Sequence, residues 1–269
     1  MHRSNSECYP NPDGTRGWVW NPITGSLGDC PNPNARRLAH GQLKERYLAN
    51  VDSISPYERD GKYVRLYSSD DKLNDPFYPR FWPERLIQPF EVKGSAGIFP
   101  CNMSDLFGIG IPYEWTEAVM NVIKIANQHC FYLLTKEPQN LQKFSPFPDN
   151  CYPGVTVCNN GMMTLALQGL SQVKAKIRYI SFEPLLGMVG MNDHMSMNGI
   201  VDWVIIGAQT KPYKPPRIEW VREIVEATDK AGIPVFLKNN LRDLLVPAAL
   251  MDDIFWESEK AKLRQEIPG

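Results

Sequence analysis

Short apolar runs separated by amphipathic stretches constrain this sequence more than any other feature. The runs are Trp18–Trp20, Gly97–Cys101, Cys130–Leu134, Gly154–Val157, Ile177–Phe182, Trp203–Ile206 and Pro234–Leu237. They are rich in Val, Ile, Phe, Tyr and Trp, as strands buried on both faces are. Ala35–Ala49 carries Leu38, Leu43, Tyr47 and Leu48 at helical spacing. Tyr113–Asn127 puts Trp115, Val119, Val122, Ile123 and Ala126 on one stripe. Asn160–Val173 and Ile218–Ala231 are similar, and the second ends at Gly232 with Pro234 beyond, a helix stop. This β-α-β-α rhythm predicts an α/β fold with a parallel sheet and right-handed crossovers. The number of such units suits a partial or complete parallel (β/α) barrel, in one domain over residues 1–269.

Residues 50–96 break the rhythm. Their first part reads as a hairpin around Asp60-Gly61. DPFYPRFWPERL follows, with prolines at 76, 79 and 83, which exclude a regular helix throughout. The segment is expected to be a flap inserted within the domain.

Composition narrows the functional classes. A chain of 269 residues, 43% hydrophobic, can bury a large core without staples and is not a disordered tail. With 29 Lys and Arg against 30 Asp and Glu, the net charge of −1 excludes an obvious polybasic nucleic-acid binder. Arg36-Arg37 and Lys174–Arg178 are short basic clusters of the kind that line solvated helix faces. No apolar run approaches the ~18 residues of a membrane span. MHRSNSECYP lacks the apolar stretch of a signal peptide, so the expected location is cytoplasmic and no membrane partner is expected.

The cysteines, at 8, 30, 101, 130, 151 and 158, form no Cys-x-x-Cys pair and read as reduced thiols. His2, His40, His129 and His194 share no metal-binding spacing and read as surface or satisfied residues. Neither a Gly-x-Ser-x-Gly elbow nor a phosphate loop nor a dinucleotide fingerprint is present.

In parallel α/β folds the site lies at the carboxyl ends of the strands. Those ends are polar here, and several charges directly abut apolar runs. A buried charge needs a partner, so these residues either neutralise one another or bind a polar small molecule. The candidate ligand contacts are Asn21, Asp105, Lys136, Asn159, Glu183, Gln209 and Lys238. Asp105 and Glu183 would accept hydrogen bonds, and Lys136 and Lys238 would pair with carboxylate or phosphate.

The segments GWVWNPITG, ARRLA, DPFYPRFWPERL, IFPCNMSDLF, FYLLTK, GVTVCN, ISFEPLLG, VDWVIIGAQT and PVFLKNNL, in that order, resemble the phage gene-product 37/68 family. That resemblance implies a radical-SAM-like, TIM-related barrel. It also implies a [4Fe–4S] cluster on a Cys-x3-Cys-x2-Cys loop, with S-adenosylmethionine on the fourth iron. The loop departs from that pattern. Ser26 and Pro33 stand at two ligand positions, and only Cys30 remains as a metal ligand. Serine is a poor substitute for a thiolate, and proline offers no side-chain donor. Cys101 and Cys158, at strand ends, are the alternative thiols. The reading that follows is a relative lacking a standard cluster, with a polar or nucleotide-like ligand at the barrel mouth. The alternatives are an active radical-SAM enzyme using Cys30 with non-standard ligands, and a nucleic-acid-associated phage factor.

Overall fold

The computed structural model describes residues 1–4, 6–27, 33–50, 57–59, 62–64, 74–191, 197–246, 253–257 and 262–268. They fall into two units: Met1–Asn5 with Tyr9–Glu137, and Ser6–Cys8 with Pro138–Gly269.

In the first unit the chain runs β1 (His2–Arg3), β2 (Trp18–Trp20), β3 (Ile23–Thr24), α1 (Pro33–His40), α2 (Lys44–Leu48), β4 (Tyr57–Arg59), β5 (Lys62–Val64), β6 (Arg80–Phe81), β7 (Gly97–Pro100), α3 (Tyr113–Ile125) and β8 (Cys130–Thr135). β1 lies antiparallel to β2, β2 is parallel to β7, and β7 is parallel to β8. α3 buries Trp115, Val119, Val122 and Ile123, the stripe its spacing predicts.

Ala35–Ala49 is two helices rather than one. α1 ends at Gly41, whose N–H donates to Arg37 O, and the chain restarts at Lys44. Glycine weakens a helix interior, and the break lets Tyr47 join Ala35, Ala39, Phe77, Trp82 and Met103 in one cluster. β4 pairs antiparallel with β5, as the hairpin reading expects; Asp60 and Gly61 lie outside the described residues. The proline-rich stretch gives β6 and then single 3₁₀ turns at Pro83–Arg85 and Gln88–Glu91.

The second unit contains β9 (Cys151–Thr156), α4 (Asn160–Ser171), β10 (Tyr179–Phe182), β11 (Trp203–Ile206), β12 (Gln209–Thr210), β13 (Tyr213–Lys214), α5 (Ile218–Ala231) and β14 (Val235–Leu237). β9, β10, β11 and β14 are parallel neighbours in that order. α5 buries Val221, Ile224, Val225 and Thr228 on one stripe. It ends where Gly232 adopts φ +66° and Ile233 N–H reaches back to Thr228 O. Only a residue without Cβ takes that left-handed step cheaply.

Register and alternation sort this sheet into faces. Gly154, Tyr179 and Trp203 share a row, and Thr156, Ser181, Ile205 and Phe236 form the next. Ring contacts between Tyr179 and Trp203 (5.5 Å) and between Trp203 and Phe236 (6.3 Å) knit that face. A Cβ on Gly154 would stand 2.3 Å from the Tyr179 ring, so glycine makes room for the tyrosine.

Among the described residues eight main strands, four in each unit, run mostly parallel, as the α/β reading expects. The fold is mixed α/β, and among the described residues neither set of four closes on itself. Among the described residues no helix is long and apolar enough to cross a membrane.

Candidate functional site

Continuing the face defined above by two residues brings three strand ends of the second unit together. Glu183 follows β10, Gly207 follows β11 and Lys238 follows β14. The backbone ladder extends past the strands: Gly207 N–H donates to Phe182 O, and Lys238 N–H to Ile206 O. The Lys238 ammonium lies 2.5 Å from Glu183 Oε1. Side-chain exposure is 11% for Lys238 and 24% for Glu183, so the pair is largely desolvated but reachable. A Cβ on Gly207 would stand 3.0 Å from Lys238 Cδ and 3.2 Å from Glu183 Cδ.

Ser6, Glu7 and Cys8 complete the cluster. Lys238 Nζ lies 3.5 Å from Ser6 Oγ, which lies 3.1 Å from the Cys8 sulfur. Asn239 N–H donates to Glu7 Oε1 at 2.9 Å. Burial acts against the Lys238 charge, but the carboxylates of Glu183 and Glu7 and the Cys8 group outweigh it and raise its pKa. Burial pushes the Cys8 thiol up to about 12.

Two other expected contacts of this unit serve its loops. Asn159 Oδ1 accepts from Met162 N–H and caps α4. Gln209 Nε2 donates to Pro212 O across the β12–β13 hairpin. Asn240, which sequence reasoning missed, exchanges two bonds with the backbone of Ala208 and fixes the loop after Gly207.

The first unit holds Asn21, Asp105 and Lys136. Asn21 Oδ1 accepts from Met103 N–H, and its carbonyl accepts from Arg85. Asp105 accepts from Thr135 Oγ, Lys136 N–H and Phe107 N–H. Burial raises its carboxyl pKa, against those three bonds, which favour the carboxylate. Lys136 therefore meets Asp105 through its backbone N–H. The Asn21–Gly25 stretch is clamped by the proline-rich segment. Trp82 Nε1 donates to Thr24 Oγ at 2.9 Å, and Ser104 Oγ donates to Gly25 O at 2.6 Å. Gly25 has φ +82°, and a Cβ there would stand 2.3 Å from Tyr78 O. His129, read as a satisfied residue, is buried with Nε2–H donating to Pro89 O at 2.8 Å; its pKa is lowered by burial.

The donor set does not fit a [4Fe–4S] cluster. Cys30 lies outside the described residues, and so does His194. Ser26 and Pro33 bring no thiolate. Burial pushes the Cys101 thiol up to about 12, opposed by a bond from the Ile23 backbone and aided by Asp105. Cys101 also has a positive φ, +58°. Cys158 is buried at the end of β9, where its carbonyl accepts from Leu186 N–H. Among the described residues no group of three or more His, Cys, Asp or Glu side chains is placed to hold a metal.

Residues 18–242 match the model of the family described as protein of unknown function, DUF5131. The chain belongs to that family. The DUF5131 match spans all four main strands of the second unit and ends just beyond Lys238. It leaves out Ser6–Cys8. No curated protein and no solved structure matches the chain.

Proposed function

We propose that this DUF5131 chain is a radical-SAM-like α/β barrel protein without a standard [4Fe–4S] cluster. In this reading it binds a polar or nucleotide-like small molecule at its strand ends, through Glu183 and Lys238. The observation that carries this is the nearly buried ion pair drawn from two strand ends, in space that Gly207 leaves clear. Desolvating two charges costs about as much as their attraction returns. Apolar side chains would stabilise the same position at least as well, so the pair is better explained by recognition than by stability. Carboxyl strand ends are also where open α/β sheets hold ligands.

The chemistry follows from the donors and acceptors. Glu183 accepts from a hydroxyl or amino group of the ligand. The ammonium has three N–H groups; the described acceptors are Glu183 and Ser6, which leaves one N–H for an oxygen of the ligand. Equilibrium dialysis against AMP and S-adenosylmethionine at neutral pH tests the reading. Sub-millimolar binding of at least one is expected, and binding of neither contradicts it. Iron and sulfide analysis after anaerobic purification addresses the cluster. Stoichiometric iron that is lost in Cys30→Ala would favour an active radical-SAM enzyme with non-standard ligands.

A further inference from the structure

We infer that the Glu7 carboxylate is a built-in stand-in for an anionic group of the ligand, displaced when a phosphate or carboxylate takes its place beside Lys238 and the Asn239 N–H. This rests on the reading above and names the ligand class. Lys238 faces two carboxylates for one ammonium. Glu183 is fixed at the end of β10 and bonded directly to it. Glu7 acts on it from farther off and is held by the Asn239 N–H at 2.9 Å. Glu7 belongs to a short segment anchored by the fully buried Cys8, and is itself only half-buried. An incoming anion would restore the same local charge and take over the same backbone donor.

A second observation points to a ligand at this face. Ser181 lies two residues before Glu183 on the same face of β10. Its hydroxyl is fully buried and has no partner among the described residues. Buried hydroxyls are nearly always satisfied, by protein, water or ligand. The row beneath the ion pair therefore keeps an unsatisfied buried hydroxyl two residues before Glu183.

The test is titration of wild type and Glu7→Gln with inorganic phosphate, succinate and AMP, with thermal melts to confirm that the variant folds. Glu7→Gln keeps the side chain's size and an acceptor for Asn239 N–H but removes the competing charge. Phosphate or succinate should bind at least about fivefold more tightly to the variant, and the stronger of the two identifies phosphate or carboxylate as the natural group. Unchanged or weaker anion binding in Glu7→Gln overturns the inference. If AMP still binds wild type in that case, the ligand site stands and only the role of Glu7 falls. If neither AMP nor S-adenosylmethionine binds either protein, both readings fall.

Discussion

Gly207 lies close against Lys238: a Cβ would stand 3.0 Å from the lysine Cδ, which would have to give by a few tenths of an ångström. Glu183 hems the same point at 3.2 Å, so neither partner can retreat without disturbing the other. Gly207→Ala should cost about 1 kcal/mol of unfolding free energy, at the low end for overpacking. It should also weaken ligand binding more than this modest loss of stability suggests. Urea unfolding with a parallel AMP titration checks both, and wild-type affinity in the variant would contradict the assigned position.

The ion pair makes a prediction about orphaned charge. Lys238→Met leaves Glu183 desolvated without its partner and should destabilise the protein by about 2 kcal/mol, less than a fully buried pair because Glu183 keeps some solvent contact. Glu183→Gln/Lys238→Met removes both charges and should recover most of that loss. Chemical denaturation of the three proteins decides it. A double variant as unstable as the single one would mean that the pair itself stabilises the fold.

The thiols give a pH-dependent outcome. Cys8 and Cys101, both pushed up to about 12 by burial, stay protonated across the neutral range. In the unfolded chain a cysteine titrates near ~8.5. Raised folded values mean that the native state holds its protons more tightly. The stability they contribute relative to the unfolded chain falls as pH rises from about 8.5 towards 12. Peptide mapping after iodoacetamide treatment at mildly alkaline pH should find both residues unmodified in the native protein and alkylated in urea. Native labelling of either would contradict the burial described.

Gly25 and Thr24 predict how firmly the clamped loop of the first unit is held. Gly25→Ala meets a positive φ and a carbonyl at 2.3 Å that cannot move freely, so a loss of about 3 kcal/mol or outright misfolding is expected. Thr24→Val is milder. It leaves the buried Trp82 indole N–H without its acceptor, a cost of about 1–2 kcal/mol. Thermal melts of the two variants should rank in that order.

Much of the fold is legible in the sequence because strands buried on both faces are written as unbroken apolar runs. Trp203–Ile206 and helix Ile218–Ala231 match their sequence patterns residue for residue. The Ile177–Phe182 run starts as a strand only at Tyr179, since Arg178 turns to pair with Asp202 at 3.0 Å. Glu183 and Lys238 could be read because charges abutting buried strands are conspicuous. Ser6–Cys8 could not: it has no periodicity, and its contacts reach 232 residues along the chain. Asn159 carried an overlooked signal, an Asn directly before a helix, which is how its side chain is used. The importance of Gly207 is invisible in one sequence, because it lies in the neighbours that a missing side chain admits.

The most direct measurement is the calorimetric affinity of AMP for wild type and for Glu183→Gln/Lys238→Met, with matched melting curves. Wild type should bind AMP, and the double variant should lose at least about tenfold in affinity. Equal affinity in two equally folded proteins would place the ligand elsewhere and contradict the assigned site.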